Sequence, residues 1–136
     1  MITPGWLIVA AAILAGQTAE AQQTLTLACK GTATANDAKP EAVSVGIIIN
    51  FTAGTVQGFG SLEVIDYPVK IIDTNDVTVT FSGSKETIFA AYFFGGSIDR
   101  ITGDLEATFT LFDRKTHVAL NRTTYSLQCK PTQRMF

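Results

Sequence analysis

The chain has 136 residues and carries ten Lys and Arg against twelve Asp and Glu, which gives a formal net charge of −2. A near-neutral chain without a clustered positive excess lacks the electrostatic footprint of a protein that binds nucleic acid or an anionic membrane. The length is suited to one domain rather than two.

Residues 1–21 have the features of an export signal. An uncharged apolar run covers residues 6–15, which is roughly half the length of a bilayer-spanning helix. Ala19 and Ala21 flank Glu20 in the small-x-small pattern that signal peptidase recognises. We predict that residues 1–21 are a cleaved signal peptide, that residues 22–136 form the mature domain, and that the protein is periplasmic or secreted without membrane insertion. A buried N-terminal helix is the alternative interpretation.

Two matching strand ends carry the cysteines. In residues 25–29 and 125–129, apolar residues alternate with small or polar ones, so Cys29 and Cys129 are expected to point into the core. Two cysteines in an exported chain predict a disulfide, which would join the first strand to the last. A zinc site needs four donors, and the single histidine, His117, cannot complete one. We predict no metal and no other cofactor.

Between the cysteines, the apolar pattern keeps a period of two, which is typical of strands. Pro68 indicates an edge or a bulge within one of them, because proline cannot donate to a strand ladder. The predicted strands cover residues 43–51, 62–72, 77–81, 105–111 and 118–129.

The connections between these strands are short, which favours antiparallel pairing. Residues 31–41 are small and polar and predict a mobile loop. The predicted fold class is all-β, a single antiparallel β-sandwich or small β-barrel of about seven or eight strands closed by one disulfide. Short turns are expected at residues 73–76, 83–85 and 113–116.

Residues 49–56 and 98–105 share the pattern Ile-Asx-x-x-small-Gly-x-aliphatic. An Asx side chain can accept hydrogen bonds from the backbone of a tight turn, and a glycine four residues later can adopt the positive φ that returns the chain. We therefore predict matching turns, with Asn50 and Gly54 in one and Asp99 and Gly103 in the other. In the alternative interpretation, Asp99 and Arg100 are a catalytic or ligand-binding pair, although the hydrogen bonds of a turn are enough to explain an Asp at position 99.

No set of residues forms a catalytic signature. His117 is expected at the exit of a hairpin, with no reactive cysteine or nucleophile elbow to accompany it. Asp104 and Glu106 would lie about 7 Å apart on one side of a strand, within the loose range for a glycoside hydrolase, but this separation is common among surface acids. We predict no catalytic residues and no enzymatic activity.

Residues 88–94 are apolar on both faces of their predicted strand. If Ile88, Tyr92 and Phe94 face the core, Phe89 and Phe93 face outward. Two interpretations follow: a second layer of the fold covers them, which we favour, or they form an interface with a partner or in a homodimer. The candidate interface residues are Ile48, Phe89, Phe93 and Phe112, because Ile48 and Phe112 also fall on outward faces.

Two short stretches carry a resemblance to known proteins. Residues 127–136, with the pattern Cys-Lys-Pro-x-Gln-Arg-x-Phe, together with residues 96–103, resemble the closing pattern of small uncharacterised exported proteins of rhizobial-type alphaproteobacteria. That resemblance implies a periplasmic or secreted location and no particular chemistry. More weakly, the Cys-Lys-Gly of residues 29–31 and a cysteine near the end are similar to periplasmic lysozyme-inhibitor barrels. Their Ser-and-Tyr inhibitory segment is not evident, so no inhibitory residue carries over.

Three function classes follow. The first is non-catalytic binding of a protein or small ligand, with inhibition of a hydrolase as its most concrete version. The second is a structural envelope protein, and the third is a small hydrolase. An open concave face lined by Tyr67, Tyr92 or Phe93 would favour a ligand.

Overall fold

The computed structural model describes residues 23–62 and 65–133, and within them the regular secondary structure is almost entirely β-strand. The predicted signal peptide and the last three residues of the C-terminal motif lie outside the described residues. One short 3₁₀ helix, Phe59–Ser61, interrupts the strands. The strands are β1 (Thr24–Ala35), β2 (Glu41–Asn50), β3 (Thr55–Gln57), β4 (Lys70–Thr74), β5 (Thr78–Glu86), β6 (Ala90–Asp99), β7 (Asp104–Asp113) and β8 (Ala119–Pro131).

The eight strands form a closed barrel in which each strand pairs antiparallel with its neighbours in sequence and β8 pairs with β1. The all-β prediction is confirmed, and of its two versions the barrel is the observed one. Closure removes the exposed strand edges that an open sheet would have to protect. Because side chains alternate across each strand, one set of apolar residues fills the interior.

The predicted disulfide is confirmed. Cys29 on β1 is directly opposite Cys129 on β8, and their Cα atoms are 4.0 Å apart. Both cysteines are buried, so the bond lies inside the barrel at the seam between the first and last strands.

Aromatic side chains fill the middle of the barrel. The Phe59 ring centroid lies 4.7 Å from that of Phe94 and 5.2 Å from that of Phe81. Tyr125 packs edge-on against Phe94 at 6.3 Å. An eight-stranded barrel is just wide enough for side chains to fill or for one small ligand, and here the central layer is filled.

The prediction of a strand over residues 62–72 is wrong for most of that range, since β4 begins only at Lys70. Residues 58–62 instead contain the 3₁₀ helix, and residues 65–69 are irregular. Gly58 packs against Gly46 of β2, and Pro68 packs against Gly83 of β5. Pro68 lies in the irregular part, as its missing N–H favours. Gly58 has φ 118° and touches the Gly46 backbone, so the turn into the helix needs a residue without Cβ.

Two further boundaries differ from the predictions. β1 runs to Ala35 because residues 31–35 pair with β8, so the loop predicted over residues 31–41 contains only residues 36–40. The turn predicted at residues 83–85 is part of β5, where Ser84 pairs with Phe93. The turn is at residues 87–89 instead. Backbone pairing with neighbouring strands overrides the weak apolar pattern in both places.

Because that turn is at residues 87–89, the apolar side chains of residues 88–93 are not covered by a second layer of the fold as we expected. Ile88 and Phe89 belong to the turn and are 82% and 79% exposed, so Ile88 does not face the core. Phe93 faces outward from β6 and is 45% exposed. The interpretation that another layer covers these side chains is therefore wrong, because a closed barrel has a single wall.

Candidate functional site

The barrel has two ends with different characters. At the mouth end lie the start of β1, the end of β8 and the turns at residues 51–54, 75–77 and 100–103. At the far end lie the turns at residues 36–40, 87–89 and 114–118. A cavity of about 470 Å³ occupies the mouth end. Ligand cavities in proteins have volumes of about 300 to 1,000 Å³. The mouth cavity is lined by Leu25, Leu27, Ile49, Phe51, Val79, Ile98, Asp99, Arg100, Ile101, Thr102, Gly103, Gln128, Cys129, Lys130 and Pro131.

The floor of the mouth cavity is apolar. It is formed by inward-facing residues of β1, β2, β5, β6 and β8, each placed there by the alternation of its strand. None of these side chains has a free hydrogen-bonding group, since the cysteine is in the disulfide. The floor residues, all buried, are Leu27, Ile49, Val79, Ile98 and Cys129.

One rim of the cavity is the turn at residues 100–103, which Asp99 holds in place. Its Oδ1 accepts hydrogen bonds from the backbone N–H groups of Ile101, at 2.8 Å, and Thr102, at 3.0 Å. Gly103 donates its N–H to the Asp99 carbonyl oxygen and has φ 82°. The N–H groups of Thr102 and Ile101 lower the pKa of the Asp99 carboxyl below its ordinary value.

The turn at residues 51–54 repeats this geometry. The Asn50 Oδ1 accepts the N–H of Ala53 at 2.9 Å. Gly54 donates its N–H to the Asn50 carbonyl oxygen and has φ 69°. The two segments with the shared sequence pattern therefore form the same kind of hairpin turn, and both lie at the mouth end.

Arg100 links three turns at the mouth. Its Nη1 donates a hydrogen bond of 2.7 Å to the carbonyl oxygen of Asn75. The guanidinium Cζ lies 5.3 Å from the centroid of the Phe51 ring, which is a cation–π distance. Among the described residues, no acidic side chain lies within ion-pair distance of Arg100. The mouth cavity thus carries a positioned cation that no carboxylate neutralises.

Three residues considered for catalysis, His117, Asp104 and Glu106, lie outside the lining of the mouth cavity. His117 lies at the far end, in an exposed turn. Asp104 accepts a hydrogen bond from the Thr102 hydroxyl, and Glu106 accepts one from the Ser126 hydroxyl. In the part of the chain that the structure describes, no cluster of three or more His, Cys, Asp or Glu is arranged to hold a metal ion. The cavity lining likewise includes no His and no free thiol.

The candidate interface residues fall into two groups. Phe93 and Phe112 face outward on the adjacent strands β6 and β7, and Phe89 lies in the turn before β6. Ile48 lies on β2, which three strands separate from β6 in either direction around the barrel. The structure therefore brings three of the four together, with Ile48 on the opposite side. We call Ile88, Phe89, Phe93 and Phe112 the outer patch.

Phe93 has a structural contact of its own. Its ring lies over Gly95 on the outer face of β6. Phe93 is also directly opposite Thr110 of β7. The Thr110 side chain is buried although it is on the outward-facing side of its strand. Phe93 therefore covers part of the barrel wall while leaving nearly half of its own surface exposed.

The concave region differs from the one that the aromatic residues suggested. The lining of the mouth cavity does not include Tyr67, Tyr92 or Phe93. Tyr67 does line a smaller cavity, of about 230 Å³, beside residues 55–60. The floor of the mouth cavity consists instead of aliphatic side chains and Cys129 near strand ends, and its rim includes Phe51 and Arg100 from the turns. Alternation marks Leu27 and Ile49 as inward in the sequence, but it does not indicate that their strand ends meet around one opening.

No protein-family model, curated protein or solved structure matches this chain. The described residues contain no helix of sufficient length and apolarity to cross a membrane. Inferences about function therefore depend on the geometry of the barrel.

Proposed function

We propose that this protein is an exported, non-catalytic binding domain that holds a small apolar molecule in the mouth cavity. The observation that carries the proposal is the cavity of about 470 Å³ with an apolar floor at one end of a barrel whose middle is filled by aromatic side chains. Apolar walls with few polar groups at the rim are typical of small-molecule sites, and the mouths of barrels are frequent places for them. The buried disulfide supports a periplasmic or secreted location, because such bonds persist in oxidising compartments.

The experiment is a fluorescence titration with the uncharged dye N-phenylnaphthylamine, which becomes bright in apolar surroundings. The full chain is expressed, and the protein that the cells export is purified. Mass spectrometry of this product checks for cleavage after Ala21. We expect saturable binding at one site per molecule. Absence of a saturable signal from the folded protein would refute the proposal.

A pair of variants locates the dye. Leu25 lines the cavity and is 37% exposed, so Leu25→Arg places a charge in the mouth at a position that tolerates solvent. We expect the affinity for the dye to fall by about tenfold or more, equivalent to ~1.4 kcal/mol. Val118→Arg is the matched control, since Val118 is 57% exposed at the far end. Equal loss of binding in both variants would place the dye elsewhere.

A second candidate function is association with another copy of the chain through the outer patch. It is favoured by the exposure of Phe89, at 79%, and of Phe93, at 45%, on neighbouring parts of one side of the barrel. Large exposed aromatic side chains that lie together are typical of association surfaces. The two candidates use different surfaces, so each can be tested without the other.

A further inference from the structure

We propose that the ligand of the mouth cavity is an amphiphile with an apolar body and one carboxylate, and that the Arg100 guanidinium binds that carboxylate. This inference rests on the proposed function, because it specifies the chemical class of the molecule held in the same cavity. A medium-chain carboxylic acid is the simplest member of the class.

The first support is the position of the Arg100 side chain. The Asn75 carbonyl oxygen and the Phe51 ring hold the guanidinium at the rim. Because the hydrogen bond and the ring contact already restrict the side chain, less conformational entropy is lost when a ligand binds. The guanidinium has five N–H donors, and its hydrogen bond to the Asn75 carbonyl oxygen uses a single nitrogen, Nη1.

The second support is the charge at the rim. In the described part of the chain, the ion pairs are those of Lys85 with Asp66 and of Arg114 with Glu86, and neither includes Arg100. The acid nearest in sequence, Asp99, directs its Oδ1 to two backbone N–H groups of its own turn. Arg100 is therefore available to an external anion.

The third support is the chemistry of the floor. Because its side chains offer no hydrogen-bonding groups, a sugar or another polyol would leave its hydroxyl groups unsatisfied there. An aliphatic or aromatic body has no hydrogen-bonding groups, so none is left unsatisfied when it enters the cavity. An apolar floor with the Arg100 guanidinium at its edge, and with the cationic Lys130 also among the lining residues, therefore complements an amphiphile with one negative charge.

The test compares decanoate with decanol as competitors of N-phenylnaphthylamine, so that the two ligands differ only in the head group. In the wild type, we expect both to displace the dye. In Arg100→Gln, we expect decanoate to lose about tenfold in apparent affinity while decanol changes little. Arg100→Lys should retain part of the preference, because it keeps the charge but not the planar fork. Arg122→Gln is the control, since Arg122 lies outside the cavity lining.

The outcomes distinguish failure of the proposed function from failure of the role assigned to Arg100. Failure of the dye to bind the wild type would refute the proposed function itself. Dye binding with equal losses for decanoate and decanol in Arg100→Gln would leave the cavity as an apolar site and refute the role of Arg100. Decanoate binding that Arg100→Gln does not change would also refute that role. Decyl phosphate is a third competitor of the dye. If it binds more tightly than decanoate, the anionic group of the ligand is a phosphate and not a carboxylate.

Salt dependence tests the inference without a substitution, in case Arg100→Gln does not fold. A charge pair at an accessible rim is screened as the Debye length falls from about 30 Å at 0.01 M salt to about 3 Å at 1 M. We expect the affinity of the wild type for decanoate to fall over this range relative to its affinity for decanol. A constant ratio between the two ligands would contradict the proposed ion pair.

Discussion

Cys29 and Cys129 are directly opposite each other on β1 and β8, and their bond joins the first strand of the barrel to the last across 100 residues of sequence. The same two strands also pair along their backbones from Leu27 with Pro131 to Ala35 with Thr123. The bond therefore does not close the barrel by itself. It reinforces a seam that backbone hydrogen bonds already form.

The first prediction concerns this bond. In the chain-entropy model, linking residues 100 apart stabilises a protein by about 4 to 5 kcal/mol. We expect the double variant Cys29→Ala with Cys129→Ala to lower the melting temperature, followed by circular dichroism, by roughly 15 to 30 °C. Reductant should have a similar effect on the wild type and none on the double variant. An unchanged melting temperature would mean that the bond contributes little to stability.

Phe59 provides the second prediction, because it belongs to the 3₁₀ helix and its ring packs in the middle of the barrel. Its ring contacts those of Phe81 and Phe94, and it is 2% exposed. We expect Phe59→Ala to lower the free energy of unfolding by about 3 to 5 kcal/mol. Ile72→Ala is the control and should cost far less, since Ile72 is 63% exposed. Denaturant titration measures both, and similar costs would contradict the assigned packing.

The third prediction concerns pH and the two matching turns. The N–H groups of Thr102 and Ile101 lower the pKa of Asp99 from its ordinary value of 3.8. A lowered folded-state pKa adds stability that is present above pH 3.8 and is lost as the pH falls through the folded-state value. We expect Asp99→Ala to be less stable than the wild type at pH 7, with a difference that shrinks below about pH 4.

Asn50→Ala is the matched variant for that experiment. Asn50 makes the equivalent hydrogen bond, to the N–H of Ala53, without a titrating group. The stability difference between Asn50→Ala and the wild type should therefore stay constant between pH 7 and pH 3. If the Asp99→Ala difference also stays constant, the Asp99 charge has no part in holding the turn.

Gly96 provides the fourth prediction, since it lies where β6 and β7 come unusually close. A Cβ at Gly96 would lie 2.7 Å from the Cα of Ala107 and closer still to the Glu106 carbonyl oxygen. We expect Gly96→Ala to lower the free energy of unfolding by about 2 kcal/mol or more. At Gly46, an added Cβ would lie 4.0 Å from its nearest neighbour, the Leu27 carbonyl oxygen, so Gly46→Ala should be tolerated. Equal effects of the two alanines on the melting temperature would contradict the close approach.

The fifth prediction tests the outer patch. If two copies associate through it, Phe93→Ser should weaken self-association in analytical ultracentrifugation while the protein stays folded. Phe89→Ser should do the same with less effect on stability, because Phe89 is 79% exposed and Phe93 also covers Gly95. Ile48→Ser is the control on the opposite side of the barrel. A wild type that stays monomeric at high concentration would remove the second candidate function.

The amino-acid sequence by itself determined several features of this protein. The period of two specifies which residues of each strand face inward, and so it indicates that Leu27 and Ile49 belong to the interior. The matching strand ends predict the Cys29–Cys129 bond, and the Asx-to-glycine spacing predicts turns at Asn50 and Asp99. These features depend on local geometry, because alternation, turn conformation and side-chain capping involve residues that are close in sequence.

Only the tertiary structure decided how the strands close and where their ends meet. Residues 31–35 and 83–86 are strands because neighbouring strands pair with them. Their own apolar pattern is too weak to predict this pairing. Closure leaves the outer patch uncovered, since a barrel has one wall. Closure also brings the turns that contain Phe51 and Arg100, and the Asn75 carbonyl between them in sequence, to one opening. The mouth cavity therefore depends on contacts between residues far apart in the chain, and alternation along single strands cannot specify them.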